Sequence, residues 1–132
     1  MKKSEGTGSF SISTRRVRHY FWVICVAVFV FALFPPDYLP TRELPFNWID
    51  KVQHVIVFGG LCVIGSKGYL DRSYSLMFGL LMMGGTIEIA QYATGWRHME
   101  FYDFVADAGG ILIGRGVFQL MRQRNQTSID SA

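Results

Sequence analysis

Tyr74-Ser-Leu-Met-Phe-Gly-Leu-Leu-Met-Met-Gly-Gly-Thr-Ile-Glu-Ile-Ala-Gln-Tyr-Ala-Thr94 carries a single charged residue, Glu88. A helix of ~20 apolar residues crosses the ~30 Å of hydrocarbon in a bilayer, and this run has that length. A carboxylate inside such a run costs roughly 3 kcal/mol or more on insertion scales, so it is rarely accidental. The next apolar run repeats the feature. Tyr102-Asp-Phe-Val-Ala-Asp-Ala-Gly-Gly110 places Asp103 and Asp107 near the start of a stretch that stays apolar to Met121. Glu88, Asp103 and Asp107 are the first residues to consider for function.

Outward from these two runs the chain reads as four helices. Span 1 covers about 18–34 and stops at Pro35-Pro36, which cannot continue a helix. Span 2 covers 48–65, span 3 covers 74–94 and span 4 covers 101–121. Residues 1–17 form a polar tail expected to be disordered, and 122–132 form a polar C-terminal tail. The loop 35–47 holds Pro35, Pro36, Pro40 and Pro45, and 66–73 is a short polar turn. The apolar runs lack strand-like alternation, and four strands would not close a barrel. The expected fold is all-α, a polytopic transmembrane four-helix bundle.

Composition agrees. Half of the 132 residues are apolar and 17% are charged, which suits one small membrane domain. The net charge of +3 does not argue for nucleic acid, because the basic residues cluster at the ends of apolar runs. No nucleic-acid partner is expected. Cys25 and Cys62 lie in apolar runs with no metal-ligand spacing and read as small buried hydrophobes. The first run has a basic start but no small-x-small cleavage site, so it reads as an uncleaved anchor.

Lysine and arginine counts set the orientation. Five precede span 1, Lys67 and Arg72 lie between spans 2 and 3, and Arg122 and Arg124 follow span 4. Only Arg42, Lys51 and Arg97 fall on the opposite side. This bias places both termini in the cytoplasm. Asp50, Lys51 and His54 then start span 2 at the outer face, and Glu88 and Gln91 end span 3 there. Arg97 and His98 lie in the outer loop, and Asp103 and Asp107 start span 4. The polar residues of three helices converge at one depth.

Helical faces agree as well. Asp103, Asp107, Gly110 and Gly114 share one face, and Gly110-x-x-x-Gly114 permits close helix approach. Gly84, Glu88 and Gln91 share a face of span 3. Glu88 and His54 are candidate acid/base groups, with Asp103 and Asp107 as further catalytic candidates orienting water. Asp50, Lys51, Gln91 and Arg97 are candidate substrate-binding residues, with Lys51 and Arg97 suited to an anionic group. No cofactor is expected. A divalent metal held by His54, Glu88, Asp103 and Asp107 is an open alternative, although the spacing matches no tight metal motif.

Plainer roles exist for each residue. Asp50 with Lys51 can anchor a helix start, and Arg97 with Asp103 can form a structural ion pair. Asp103 can be the acid that a helix N-terminus favours. Glu88 and Gln91 can clamp neighbouring helices by hydrogen bonds. His98 and Glu100 read as solvated loop residues. The convergence of so many polar groups on one end favours a site over the sum of these roles.

Asp50-Lys51-x-x-His54, then Glu88-x-x-Gln91, then Arg97 six residues before Asp103, then a glycine-rich helix, resembles the VanZ-like membrane proteins. The resemblance covers about 48–116. It departs at Asp107, where the family usually carries Asn in an Asp-x-x-x-Asn-x-x-Gly pattern. The resemblance implies a bacterial integral membrane protein of the inner membrane. The family is named for a member linked to low-level teicoplanin resistance, and the activity of most members is unsettled. The function expected from residues and resemblance together is binding or modification of a cell-envelope amphiphile, a lipid or a lipid-linked glycan or peptide. Glycopeptide resistance is among the phenotypes to test. The alternative is a non-catalytic membrane partner whose polar cluster sets helix register.

Overall fold

The computed structural model describes residues 13–34, 48–95 and 100–130. Within them the chain is all-helical: α1 (Thr14–Ala32), α2 (Trp48–Gly68), α3 (Ser73–Thr94) and α4 (Phe101–Asp130), with one 3-10 turn at Leu70–Arg72. The starts of spans 2 and 4 and the end of span 3 fall where the sequence predicts them. Other boundaries differ. α1 begins at Thr14, inside the stretch expected to be a disordered tail. α4 runs on through 122–130, where Thr127 and Ser128 hydroxyls donate to the carbonyls of Gln123 and Arg124. The turn expected at 66–73 is mostly helical, because α2 continues to Gly68 and α3 starts at Ser73.

α2, α3 and α4 are each long and apolar enough to cross a membrane. α1 is not among them. Arg15, Arg16 and Arg18 occupy its first turns, so its uncharged part spans only about 20 Å at 1.5 Å per residue. Exposed Trp, Phe, Ile and Leu side chains cover all four helices. This is the reverse of a water-soluble surface and suits lipid as the surrounding solvent.

The helices alternate in direction. α1 lies antiparallel to α2, with Phe21 against Gly65. α3 returns beside α2, and α4 runs parallel to α2 with its glycines against that helix. The ends of α1 and α3 and the starts of α2 and α4 therefore gather at one end of the bundle.

The α2–α4 seam is the tightest contact. A Cβ on Gly110 would lie 2.5 Å from the Val55 carbonyl oxygen, and one on Gly59 would lie 3.1 Å from the Gly110 carbonyl oxygen. A Cβ on Gly114 would overlap the Gly59 backbone. Only glycine lets these two backbones touch. The pattern read on α4 thus has a matching glycine on α2. The core below the seam is apolar: Phe58, Leu61, Cys62, Leu76, Leu80, Ile87 and Ile111, with Phe21 and Cys25 added by α1. Both cysteines are buried free thiols.

At the opposite end from the polar residues, α1 is latched to α2. Arg18 Nε donates to the Gly68 carbonyl oxygen at 2.7 Å, satisfying a terminal carbonyl of α2. Its guanidinium lies 4.7 Å from the centre of the Tyr69 ring, and Trp22 Nε1 donates to the Tyr69 hydroxyl at 3.0 Å. Arg18, part of the basic flank before span 1, thus also forms a packed joint with Tyr69.

Candidate functional site

The polar end is built by the helix termini meeting there. α2 contributes Asp50, Lys51 and His54 from its first two turns. The spacing of Asp50 and His54, one turn apart, puts them on one face. α4 contributes Asp103 and Asp107 in the same way, with Glu100 just before its first residue. α3 contributes Glu88 and Gln91 from its last turns and ends at Gly95. Gly95 sits at φ 75, the left-handed conformation that closes a helix and that glycine adopts without strain.

Asp103, Asp107 and Glu88 are buried, at 5%, 0% and 1% exposure. Buried carboxylates in a protein are expected to be paired or hydrogen-bonded. Lys51 Nζ donates to Glu100 Oε2 at 2.8 Å and to Asp103 Oδ1 at 3.2 Å, tying α2 to the start of α4. His54 Nδ1 lies 2.7 Å from Asp107 Oδ1. With Asp107 as a carboxylate and His54 as a neutral imidazole, Nδ1–H donates and Nε2 keeps its lone pair. The His54 ring lies nearly parallel to that of Phe58, with centroids 6.4 Å apart and planes 7° from parallel.

Glu88 Oε2 accepts the Glu100 backbone N–H at 3.2 Å, so α3 holds the entrance to α4. Its other oxygen, Oε1, is buried without a partner among the described residues, as is Asp107 Oδ2. Asp107 Oδ2 fits against Gly84, where any Cβ would collide with it. The glycine on α3 is therefore the space that the Asp107 carboxylate occupies.

Gln91 has a different position from its neighbours. Its Nε2 donates to the Ala32 carbonyl oxygen at 2.9 Å, so it ties the last residue of α1 to α3. This contact has the form of the interhelical clamp that the sequence allows for Gln91. Arg97 and His98 lie outside the described residues. The other seven sequence-selected residues all lie at the same end of the bundle, and six of them, Asp50, Lys51, His54, Glu88, Asp103 and Asp107, cluster. Glu100 joins that cluster. It reads as a solvated loop residue in sequence, yet its side chain pairs with Lys51 and its N–H with Glu88. An acid placed immediately before a helix start, at the end where lysine and carboxylates gather, was the available signal.

Asp50, His54 and Asp103 also form a group of metal-competent donors. One carboxylate oxygen of each aspartate and a ring nitrogen of His54 lie within 4.8 Å of one another.

No family model, no curated protein and no solved structure matches the chain. The VanZ-like resemblance is carried by the quoted residues alone.

Proposed function

We propose that this chain is a VanZ-like integral membrane protein of the bacterial inner membrane that binds, and acts on, the polar head group of a cell-envelope amphiphile. In this reading all four helices cross the bilayer. α1 does so with Arg15, Arg16 and Arg18 snorkelling to the cytoplasmic surface. Both termini are cytoplasmic, and the polar end lies in the outer leaflet. The observation that carries the reading is the burial of Glu88, Asp103 and Asp107 around Lys51 and His54 at one end of an otherwise apolar bundle. A lipid or lipid-linked glycan or peptide is the ligand class that can present a polar group at that depth while its chain stays in hydrocarbon. Lys51 and Arg97 would hold an anionic group, and His54 and Glu88 would move protons.

The test is a loss-of-function series in the native host, scoring envelope phenotypes including teicoplanin susceptibility. Glu88→Gln and His54→Ala should each abolish the phenotype of the intact gene while the protein still inserts at normal levels. Full function in both variants overturns the reading. Reporter fusions at the C-terminus should report a cytoplasmic location, and an external one would move the site to the wrong leaflet.

A second reading is favoured by a specific observation. Lys51 and Gln91 both spend their side chains on neighbouring helices, as parts of a structural cluster would. In that reading the protein is a non-catalytic partner of another membrane protein. Purification from membranes should then recover a stoichiometric partner, and changes on exposed faces should matter more than Glu88→Gln.

A further inference from the structure

Five carboxylates, those of Asp50, Glu88, Glu100, Asp103 and Asp107, gather around two basic side chains, Lys51 and His54. Two buried carboxylate oxygens in this group, Glu88 Oε1 and Asp107 Oδ2, have no partner among the described residues. Three of the five groups are buried. Leaving buried carboxylates without countercharge is costly, and proteins resolve it with protons, basic side chains or a metal.

The geometry favours the metal. The donors of Asp50, His54 and Asp103 lie within 4.8 Å of one another. Tetrahedral ligands each about 2.0–2.2 Å from a common zinc ion stand ~3.3–3.6 Å apart, so side-chain rotations that draw the donors in by about 1 Å would close the set. The imidazole is prepared for it. Metal-bound histidines usually present one nitrogen to the metal and donate the other to a carboxylate. Asp107 holds His54 Nδ1 in that way, and Nε2 is the nitrogen left. Lys51 engages Asp103 through Oδ1, and a carboxylate has a second oxygen to offer.

Glu88 is an independent pointer. It arrives from a third helix, is 1% exposed, and has one buried oxygen with no partner among the described residues. It lies within electrostatic range of both Asp103 and His54.

From these observations we infer that Asp50, His54 and Asp103 bind one divalent transition-metal ion, with Asp107 positioning His54 and Glu88 beside the ion. One nitrogen and two oxygens suit Zn²⁺ or Mn²⁺. Ca²⁺ and Mg²⁺ prefer all-oxygen sites and should bind more weakly. The inference goes beyond the head-group reading, because cation binding is measured with no amphiphile present and stands or falls by itself.

The experiment uses the full chain, freed of any affinity tag, in mild detergent after chelator treatment and exchange into clean buffer. Zn²⁺, Mn²⁺ and Ca²⁺ are each titrated by calorimetry, and bound metal is counted by elemental analysis. The expected result is one equivalent of Zn²⁺ or Mn²⁺ per chain. His54→Gln and Asp103→Asn should each weaken binding at least about tenfold. Asp107→Asn should keep the stoichiometry and weaken affinity by ~10–100-fold, the usual effect of losing a residue that orients a ligand. His19→Ala, on α1 near the opposite end, should bind as the parent does.

X-ray absorption on the zinc-loaded parent keeps the test decisive if a variant fails to fold. The outer-shell scattering of a single imidazole with only light first-shell donors supports the site, and sulfur or several imidazoles overturn it. The inference also fails if no ion binds above buffer, if binding survives His54→Gln with Asp103→Asn, or if Ca²⁺ binds as tightly as Zn²⁺.

Discussion

Gly109 and Gly110 are adjacent on α4, yet alanine should affect them in opposite ways. A Cβ on Gly109 meets nothing within 4 Å. A Cβ on Gly110 would come within 2.5 Å of the Val55 carbonyl oxygen and 2.9 Å of Val55 Cα. Both of these are backbone atoms of α2 that cannot rotate away. Ordinary van der Waals contact begins near 3.4 Å, so α4 and α2 would have to part by about 0.9 Å. Forcing extra methyl volume into a packed contact costs ~1–3 kcal/mol. Replacing glycine in a helix with alanine returns up to ~1 kcal/mol, a gain common to both positions. Gly109→Ala should therefore be neutral or slightly stabilising, and Gly110→Ala should fall below it by ~1–3 kcal/mol. The measurement is reversible unfolding from mild detergent into SDS, followed by tryptophan fluorescence and helicity. Gly110 lies one turn from Asp107, so its substitution should also loosen the His54 contact. Equal stability of the two variants would refute the close α2–α4 seam and the helix register built on it.

Two further outcomes are expected. Lys51→Met leaves Glu100 and Asp103 without their ammonium. Loss of one partner of a fully buried pair costs ~3–5 kcal/mol, and the partial exposure of Lys51 should bring this to about 1–3 kcal/mol in the same SDS titration, with Lys51→Arg recovering part of it. Gln91→Leu removes the hydrogen bond to Ala32 and should cost about 1 kcal/mol, detected as earlier protease cleavage between α1 and α2 while the rest of the bundle holds.

The helices were legible because each announces itself by an apolar run between polar, basic or proline-rich ends, and in α2, α3 and α4 that run has membrane length. Trp48, Phe101 and Thr94 mark boundaries in both sequence and structure. Boundaries facing water were harder to read. The C-terminal extension of α4 contains Arg122, Gln123, Arg124, Asn125 and Gln126, which read as a tail by polarity although Arg and Gln are good helix formers. The one-end convergence of Asp50, Lys51, His54, Glu88, Gln91, Asp103 and Asp107 was also legible, since it follows from alternating helix direction. Pairing was not. Helical periodicity says which residues share a face, but it does not say which partner that face meets. Hence Glu100 was missed as a partner of Lys51, and Gln91 turned out to hold α1. Gly84 is similar: its place in a glycine stripe is visible in sequence, but the carboxylate it accommodates is not.

The parallel pairing of α2 with α4 has a consequence for how the chain is made. The carboxylates of α4 are its obstacle to entering lipid. Their partners, Lys51 and His54, lie about fifty residues earlier in the chain. Proteins emerge from the ribosome N-terminus first, so those basic groups are made before Asp103 and Asp107. The last helix is thus received by charges laid down in advance. A chain cut before α4 leaves Lys51 and His54 without the carboxylates that Asp103 and Asp107 bring to them in the finished bundle.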